Sequence, residues 1–228
     1  MWSKAMPAAF RAPSMSPPDL IDRLVADLRA GPRHEVFRRL LIGAGLGGGV
    51  SVVLIGLFLG FRPDMARVAL IPMFWIKFAY VTAIAALALW SADRLARPGE
   101  SGWRRGVWIA APVIMLVTLS AWRLFEAPPP MRMPLVMGQS AAVCPWLIVG
   151  SSLAPLAGLI WAMRGLAPVR LRQAGGMIGL AAGGVGASAY ALHCPEQAAP
   201  FLAVWYTLGI AAAGGLGAIL GPVLLRWR

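Results

Sequence analysis

The chain's two cysteines, Cys144 and Cys194, are the residues best suited to chemistry. Each is followed directly by proline, which favours the first turn of a helix, so each thiol is predicted near a helix N-terminus, although the helix after Cys194 could begin at Pro200 instead. The partial positive charge there lowers the pKa of a thiol and raises its thiolate fraction. Three interpretations are open: a structural disulfide, a redox-sensing or metal-sensing pair, or two independent buried thiols. The absence of a CxxC motif disfavours a thiol oxidoreductase.

Further soft metal ligands stand near the cysteines in sequence. They are His193, Met131, Met133 and Met137. Together with thiolates, such imidazole and thioether groups suit cuprous and other thiophilic ions. Methionine is also common in apolar chains, so metal binding stays open. We count His193 with the two cysteines as a candidate sensing residue, and we expect no cofactor.

One lysine interrupts a long apolar run, in the stretch "MFWIKFAYV", where it is Lys77. An ionisable group at the middle of a membrane span is costly and marks a functional candidate. No acidic residue lies at comparable depth in any apolar run. The side chain is expected to snorkel to an interface, pair with backbone carbonyls or sit neutral. Lys77 is also a candidate for a conformational switch inside the membrane.

The elements that must position these residues are predicted to be membrane-spanning helices. Of the 228 residues, 59% are hydrophobic and 13% are charged, which excludes an ordinary soluble domain. Six segments are long and apolar enough to span a bilayer. They cover about residues 40–60, 68–90, 107–124, 143–163, 174–192 and 201–225. The predicted fold class is therefore all-α, an integral membrane bundle of six transmembrane helices, with no cleavable signal peptide ahead of it.

The basic residues predict the orientation of these spans. The net charge of +12 does not form a nucleic-acid-binding patch, because the basic residues flank the apolar runs. Sixteen of them fall on the side of the termini and four on the opposite side. The positive-inside rule then puts both termini in the cytoplasm and both cysteine loops outside, in a multi-pass protein of a bacterial inner membrane. The lipid bilayer is thus a predicted partner, and direct contact with nucleic acid is not expected.

Small residues at four-residue spacing predict close helix packing within this bundle. In the first span they form two alternative pairs, Gly43 with Gly47 and Gly45 with Gly49. The fifth span carries Gly175, Gly179 and Gly183, and the sixth carries Gly217 and Gly221. Enrichment of glycine in membrane helices accounts equally well for any single pair, but together they favour a compact bundle.

The N-terminal part divides into a disordered tail, residues 1–15, and a cytoplasmic segment, residues 16–39, ahead of the six-helix transmembrane domain 40–228. In "SPPDLIDRLVADLRAGP", Ser16 is a plausible N-cap and Gly31-Pro32 a stop signal. The helix between them is amphipathic. Its apolar stripe consists of Leu20, Ile21, Leu24, Val25 and Leu28. So short a helix cannot form a core alone, so the stripe packs on the bundle or captures a partner protein.

Transport and hydrolysis are disfavoured by what the spans lack. Apart from Lys77 they offer only scattered Ser and Thr, whereas a permease needs several polar groups at the midplane. The two histidines, His34 and His193, are predicted on opposite sides and assemble no catalytic group. The chain is therefore predicted not to be an enzyme.

Taken together, the stretches "DLIDRLVADL", "LHCPE", "FLAVWYTLG" and "GAILGPVLLRW" resemble the negative-regulator-of-sigma-F family of polytopic bacterial anti-sigma factors. The resemblance covers about residues 16–227. It implies that the cytoplasmic segment holds a sigma factor of the extracytoplasmic-function type at the membrane. It also implies that two outward cysteines, here Cys144 and Cys194, take part in sensing.

The working hypothesis is an inner-membrane anti-sigma factor in a transcriptional stress response. It would sequester its sigma factor and release it on a periplasmic redox or thiophilic-metal signal. Two alternatives from other classes remain. One is a periplasm-facing thiol-redox enzyme that exchanges electrons with a quinone, and the other is a small metal exporter.

Overall fold

The computed structural model describes residue 22 and residues 35–97, 103–164, 166 and 168–226. Two earlier predictions lie outside these residues: the tail 1–15 and the apolar stripe of the segment 16–39. The first long helix is Glu35–Phe58, so it includes the last residues of the predicted cytoplasmic segment 16–39. Glu35 and the polar residues after it extend the helix ahead of its apolar part.

Six long helices make up the part of the chain from residue 35 onward. They are α1 (Glu35–Phe58), α2 (Pro72–Leu95), α3 (Val107–Glu126), α4 (Cys144–Met163), α5 (Leu171–Ala191) and α6 (Ala199–Leu224). Short helices lie in the connections, at Met65–Val68, Trp103–Gly106 and Pro129–Met137. No strand occurs among the residues that the structure describes, so the all-α prediction is confirmed there.

The connections α1–α2, α3–α4 and α5–α6 meet at one end of the bundle. The Arg62 amide donates a hydrogen bond of 3.3 Å to the Leu192 carbonyl. The Gln139 amide donates one of 2.7 Å to the carboxylate of Glu196. At the other end, the Arg164 side chain donates to the Leu224 carbonyl at 3.1 Å. Successive helices therefore alternate in direction.

Five of the six helices are long and apolar enough to cross a membrane; α5 is not among them. The prediction of six spans is thus supported for five. The reason is composition, because α5 reads "LRQAGGMIGLAAGGVGASAYA" and most of its residues are buried. It packs against α1, α2, α4 and α6. A helix surrounded by other helices needs small residues for close packing more than bulky apolar ones for lipid.

Glycines bring the helix backbones together at two interfaces. A Cβ on Gly217 of α6 would collide with the Gly175 carbonyl of α5. Similarly, a Cβ on Gly43 of α1 would lie 2.5 Å from the carbonyl oxygen of Gly158 in α4. The alternative pair Gly45 and Gly49 meets nothing within 4 Å. Of the two pairs predicted in the first span, only Gly43 with Gly47 forms an interface.

The outward faces of the helices carry large apolar side chains. Examples exposed by half or more are Leu46, Phe58, Val117 and Trp161. A soluble protein rarely leaves so many such residues uncovered, whereas lipid would cover them.

Candidate functional site

The two cysteines lie side by side at the end of the bundle where the three connections meet. Both side chains are completely buried, and their thiols are close enough to interact directly. Both are free cysteines. Two cysteines that are 50 positions apart in sequence therefore form a pair of neighbouring free thiols. Their spacing in the sequence did not establish this.

The prediction that each Cys-Pro pair starts a helix is correct for Cys144 and wrong for Cys194. Helix α4 begins at Cys144, with proline in its first turn. Cys194 instead follows the end of α5, where its amide donates a hydrogen bond of 3.0 Å to the Tyr190 carbonyl. The proline at the start of α6 is Pro200, in the helical turn Ala199–Phe201. Cys194 therefore does not lie in the first turn of α6.

Lys77 of α2 binds the backbone of the loop that carries Cys194. Its ammonium donates hydrogen bonds to the carbonyl oxygens of Cys194, at 3.2 Å, and Glu196, at 3.1 Å. It also lies 4.9 Å from the centre of the Tyr206 ring, in cation–π geometry. The Lys77 side chain is fully buried, so it does not snorkel to an interface. Of the three expectations for this residue, pairing with backbone carbonyls is the one observed.

A second cation, Arg62, reaches the same carbonyl from the α1–α2 connection. Its guanidinium donates to the Cys194 carbonyl at 3.2 Å and forms a 2.8 Å salt bridge with Asp64. The hydrogen bonds from Arg62 lower the pKa of the Asp64 carboxyl, which keeps the pair charged near neutral pH. The Cys194 backbone is thus held by a cation from each of two different parts of the chain.

Glu196 ties the same loop to the connection ahead of α4. Its carboxylate accepts hydrogen bonds from the Gln139 amide at 2.7 Å and from the Ser140 hydroxyl at 3.3 Å. Gly138 makes this approach possible, because its φ is +53° and a Cβ there would lie 2.7 Å from Glu196 Cδ. The backbone just ahead of Cys144 is thereby fixed to the loop that carries Cys194.

Two tyrosines pack beside the thiols. A π-helical turn at Leu202–Tyr206 interrupts α6 and presents Tyr206 to the site. Its ring lies 6.0 Å from that of Tyr190. Among the residues described here, no hydrogen-bond partner reaches the Tyr206 hydroxyl, which lies close to Cys194.

The other predicted sensing ligands do not join the thiols. The His193 ring places Nδ1 2.9 Å from the Gly60 carbonyl and packs 5.9 Å from the Tyr190 ring. The three methionines are exposed on the connecting helix Pro129–Met137. Within the described part of the chain, no group of three or more His, Cys, Asp or Glu could hold a metal ion.

The surroundings of the thiol pair give Cys194 an acidic thiol. The hydrogen bond with Cys144 lowers the pKa of the Cys194 thiol, and the ammonium of Lys77 lowers it further, against the opposing effect of burial. A depressed pKa makes this sulfur the nucleophile of the pair. The two main causes of this lowered pKa are thus the neighbouring thiol and the lysine.

Sequence reasoning missed Arg62, Glu196 and Tyr206. The first two are ordinary charged residues of connections between helices, and nothing in their spacing links them to a cysteine. Tyr206 stands in an apolar run where an aromatic residue attracts no notice. Only the folded arrangement brings all three to the thiols.

Fold and site together define a helical protein with five helices long and apolar enough to cross a membrane and a buried thiol pair at one end of its helix bundle. The family described as "Negative regulator of sigma F" matches residues 24–227, and the chain belongs to this family. That membership confirms the resemblance seen in the sequence, and it makes the protein a regulator and not an enzyme.

Two curated relatives cover nearly the whole chain. It is 41% identical over 212 residues to "Anti-sigma-F factor NrsF" of Caulobacter vibrioides (strain NA1000 / CB15N), which spans 92% of this chain and 98% of that protein. It is 37% identical over 214 residues to "Probable anti-sigma-F factor NrsF" of Azospira oryzae, spanning 93% of this chain and 100% of that protein. No solved structure matches the chain.

Proposed function

We propose that the protein is an inner-membrane anti-sigma factor that sequesters a sigma factor of the extracytoplasmic-function type. Family membership over residues 24–227 carries this proposal, supported by the names of the two relatives. The five helices able to cross a membrane, together with α5, would anchor the complex. By the positive-inside rule both termini face the cytoplasm, where a sigma factor is available.

The cytoplasmic segment 16–39 binds the sigma factor in this proposal. Its apolar stripe, described above, would lie in a groove of the partner, as amphipathic helices commonly do. While that surface is occupied, the sigma factor remains at the membrane and away from RNA polymerase.

The thiol pair is the signal receiver in this proposal. Oxidation would join the two sulfurs of Cys144 and Cys194, and the two thiols together would lose two protons and two electrons to an external oxidant. A thiophilic ion bridging the same sulfurs is the second possible signal. In both cases the hydrogen bond between the thiols is replaced by a bond of different length and direction.

The signal must favour one of two states of the bundle that differ in affinity for the sigma factor. The geometry supports a route. A shift of Cys194 changes the carbonyl that Lys77 and Arg62 hold, and so acts on α2 and on the α1–α2 connection. Helix α1 continues from there to Glu35, which belongs to the cytoplasmic segment 16–39 of this proposal.

Cysteine replacement tests the sensing half of the proposal. The variant Cys144→Ser with Cys194→Ser should keep the sigma factor at the membrane yet fail to release it on treatment with an oxidant or a cuprous salt. Membrane fractionation and a sigma-dependent reporter measure the two properties. Met133 is exposed in the α3–α4 connection, at the same end of the bundle as the cysteines. The variant Met133→Ser is the matched control and should release the sigma factor as the wild type does. A double cysteine variant that is induced like the wild type would refute sensing by this pair.

Disruption of the apolar stripe tests the binding half. Leu24→Asp should release the sigma factor constitutively, because a carboxylate cannot be buried in an apolar groove without large loss of free energy. Arg23→Asp, on the predicted polar face, should retain binding. If Leu24→Asp still recruits the sigma factor to the membrane, another segment forms the contact.

A further inference from the structure

A cavity separate from the thiol pair lies at the same end of the bundle, between α3, the connecting helix Pro129–Met137 and the start of α6. Its volume is about 390 Å³, within the range of about 300–1,000 Å³ typical of small-molecule sites. Met73 and Leu135 supply apolar wall, and Arg123, Glu126 and Gln197 supply polar groups. Neither cysteine lines it.

Opposite charges stand on one wall of this cavity. Arg123 and Glu126 are three residues apart on the last turn of α3, so their side chains project from the same face. Among the residues described, neither takes part in a salt bridge. Glu126 is the last residue of the helix, where unsatisfied carbonyls already produce a negative potential. The negative charge of Glu126 is therefore unfavourable at this position without a cation, and a bound cation would stabilise it.

Gln197 contributes a donor and an acceptor that the fold leaves unused. Both polar atoms of its side-chain amide, Nε2 and Oε1, are buried, and no group in the described part of the chain hydrogen-bonds to either. Buried amide groups without partners are rare and destabilising, so each such case calls for an explanation. Gln197 lines the cavity, so a rotation of its side chain would bring this amide to a ligand bound there.

The amide of Gln197 is also held in place. The preceding residue, Glu196, is fixed through its carbonyl by Lys77 and through its carboxylate by Gln139. On the other side Ala198 leads directly into α6. The loop backbone around Gln197 is thus ordered by contacts that do not use its side chain, which is the preorganisation that a binding site requires.

We propose that this cavity binds a small zwitterion. Arg123 would hold its anionic group, Glu126 and the end of α3 its ammonium, and the Gln197 amide would hydrogen-bond to both. The apolar part of the ligand would contact Met73 and Leu135. Two kinds of zwitterion with an apolar part are available at the surface of a membrane: a free apolar amino acid and the headgroup of phosphatidylethanolamine. This inference goes beyond the proposed function, since it requires neither the sigma factor nor the thiols.

Calorimetric titration of the purified full-length protein in detergent tests the proposal. The probes are L-leucine and, separately, dihexanoyl phosphatidylethanolamine. We expect saturable binding of at least one. Arg123→Gln and Glu126→Gln should each weaken it by at least about tenfold, because each removes one charge-assisted contact. Gln197→Leu should weaken it as well. Arg67→Gln, an exposed residue of the α1–α2 connection, is the matched charge control and should bind like the wild type.

Single-charge analogues sharpen the test. Leucinamide keeps the ammonium and lacks the carboxylate, whereas 4-methylpentanoate keeps the carboxylate and lacks the ammonium. Both should bind much more weakly than leucine. Binding of leucine indicates the amino acid, and binding of the lipid alone indicates the headgroup; either supports the proposal. A folded protein that binds neither probe, a single-charge analogue that binds as tightly as leucine, or an unaffected Arg123→Gln variant would overturn it.

Discussion

Lys77 Nζ lies 3.2 Å from the carbonyl oxygen of Cys194, so the buried lysine of α2 holds the backbone of a cysteine 117 residues away. The same ammonium holds the Glu196 carbonyl. A buried cation needs such partners, because an ammonium group without them would be too costly to remove from water. The thiol pair, its loop and α2 therefore form one connected unit.

Replacing the lysine should loosen this unit. Lys77→Met keeps the length and apolar stem of the side chain but leaves the Glu196 carbonyl without its donor, while Arg62 still reaches the Cys194 carbonyl. A loss of about 1–3 kcal/mol in the free energy of unfolding is expected for one unsatisfied buried acceptor. Denaturation in detergent measures it. Cys194 should also react faster with a maleimide in the Cys144→Ser background.

Lys77→Gln is the control for this prediction, because its amide retains one donor and should give an intermediate loss. Unchanged stability and unchanged maleimide labelling in Lys77→Met would show that the lysine does not restrain the loop.

The acidity of Cys194 should depend on its neighbour. Cys144→Ala removes the hydrogen bond that contributes most to lowering the Cys194 pKa, so that pKa should rise towards its ordinary value of about 8.5. In the wild type the folded pKa is below the unfolded one. Stabilisation by the thiolate is thus fully present above about pH 8.5 and is lost as the pH falls through the folded pKa.

Nuclear magnetic resonance of protein labelled with ¹³C at the cysteine β-carbon measures this titration directly. Cys144→Ser, whose hydroxyl still donates a hydrogen bond, should shift the Cys194 titration less than Cys144→Ala. Identical titrations in the wild type and Cys144→Ala would mean that the two thiols do not interact.

The α5–α6 interface predicts opposite effects for two glycines of the same helix. Gly217→Ala should destabilise the bundle by about 1–3 kcal/mol, because the new methyl group collides with the backbone of Gly175 and Gly179. Gly215→Ala meets nothing within 4 Å and replaces a flexible residue within a helix, so it should be neutral or slightly stabilising. Thermal unfolding in detergent compares the two. Equal stabilities would argue against the close α5–α6 contact.

These glycines also show how far the sequence could predict the fold. The approximate limits of the six long helices follow from the lengths of the apolar runs, a local property that a single sequence carries. Which pair packs does not: Gly43 and Gly45 belong to equivalent motifs, yet only Gly43 meets another helix. That choice depends on the rotation of α1 about its axis, which long-range contacts determine.

The site was predictable in part for the same reason. Residue type alone drew attention to Cys144, Cys194 and Lys77, because thiols and intramembrane charges are rare. The proximity of these three residues depends on the loop at Glu196 and on a π-helical turn at Leu202–Tyr206. Neither feature corresponds to a recognisable sequence pattern. The prediction that a Cys-Pro pair begins a helix was correct for Cys144 and wrong for Cys194, because such a pair does not itself determine where a helix begins.

Tyr80 of α2 and Tyr206 of α6 should respond differently to removal of their hydroxyls. Tyr80 shares a 2.6 Å hydrogen bond with the Thr207 hydroxyl, so Tyr80→Phe should lower the free energy of unfolding by about 1 kcal/mol. The Tyr206 hydroxyl is buried without a partner among the described residues. Tyr206→Phe should therefore be neutral or stabilising, since it removes an unsatisfied polar group and keeps the ring beside Lys77. Equilibrium denaturation of both variants in the same detergent makes the comparison. A larger loss for Tyr206→Phe than for Tyr80→Phe would mean that the Tyr206 hydroxyl is hydrogen-bonded to the thiol pair and belongs to it.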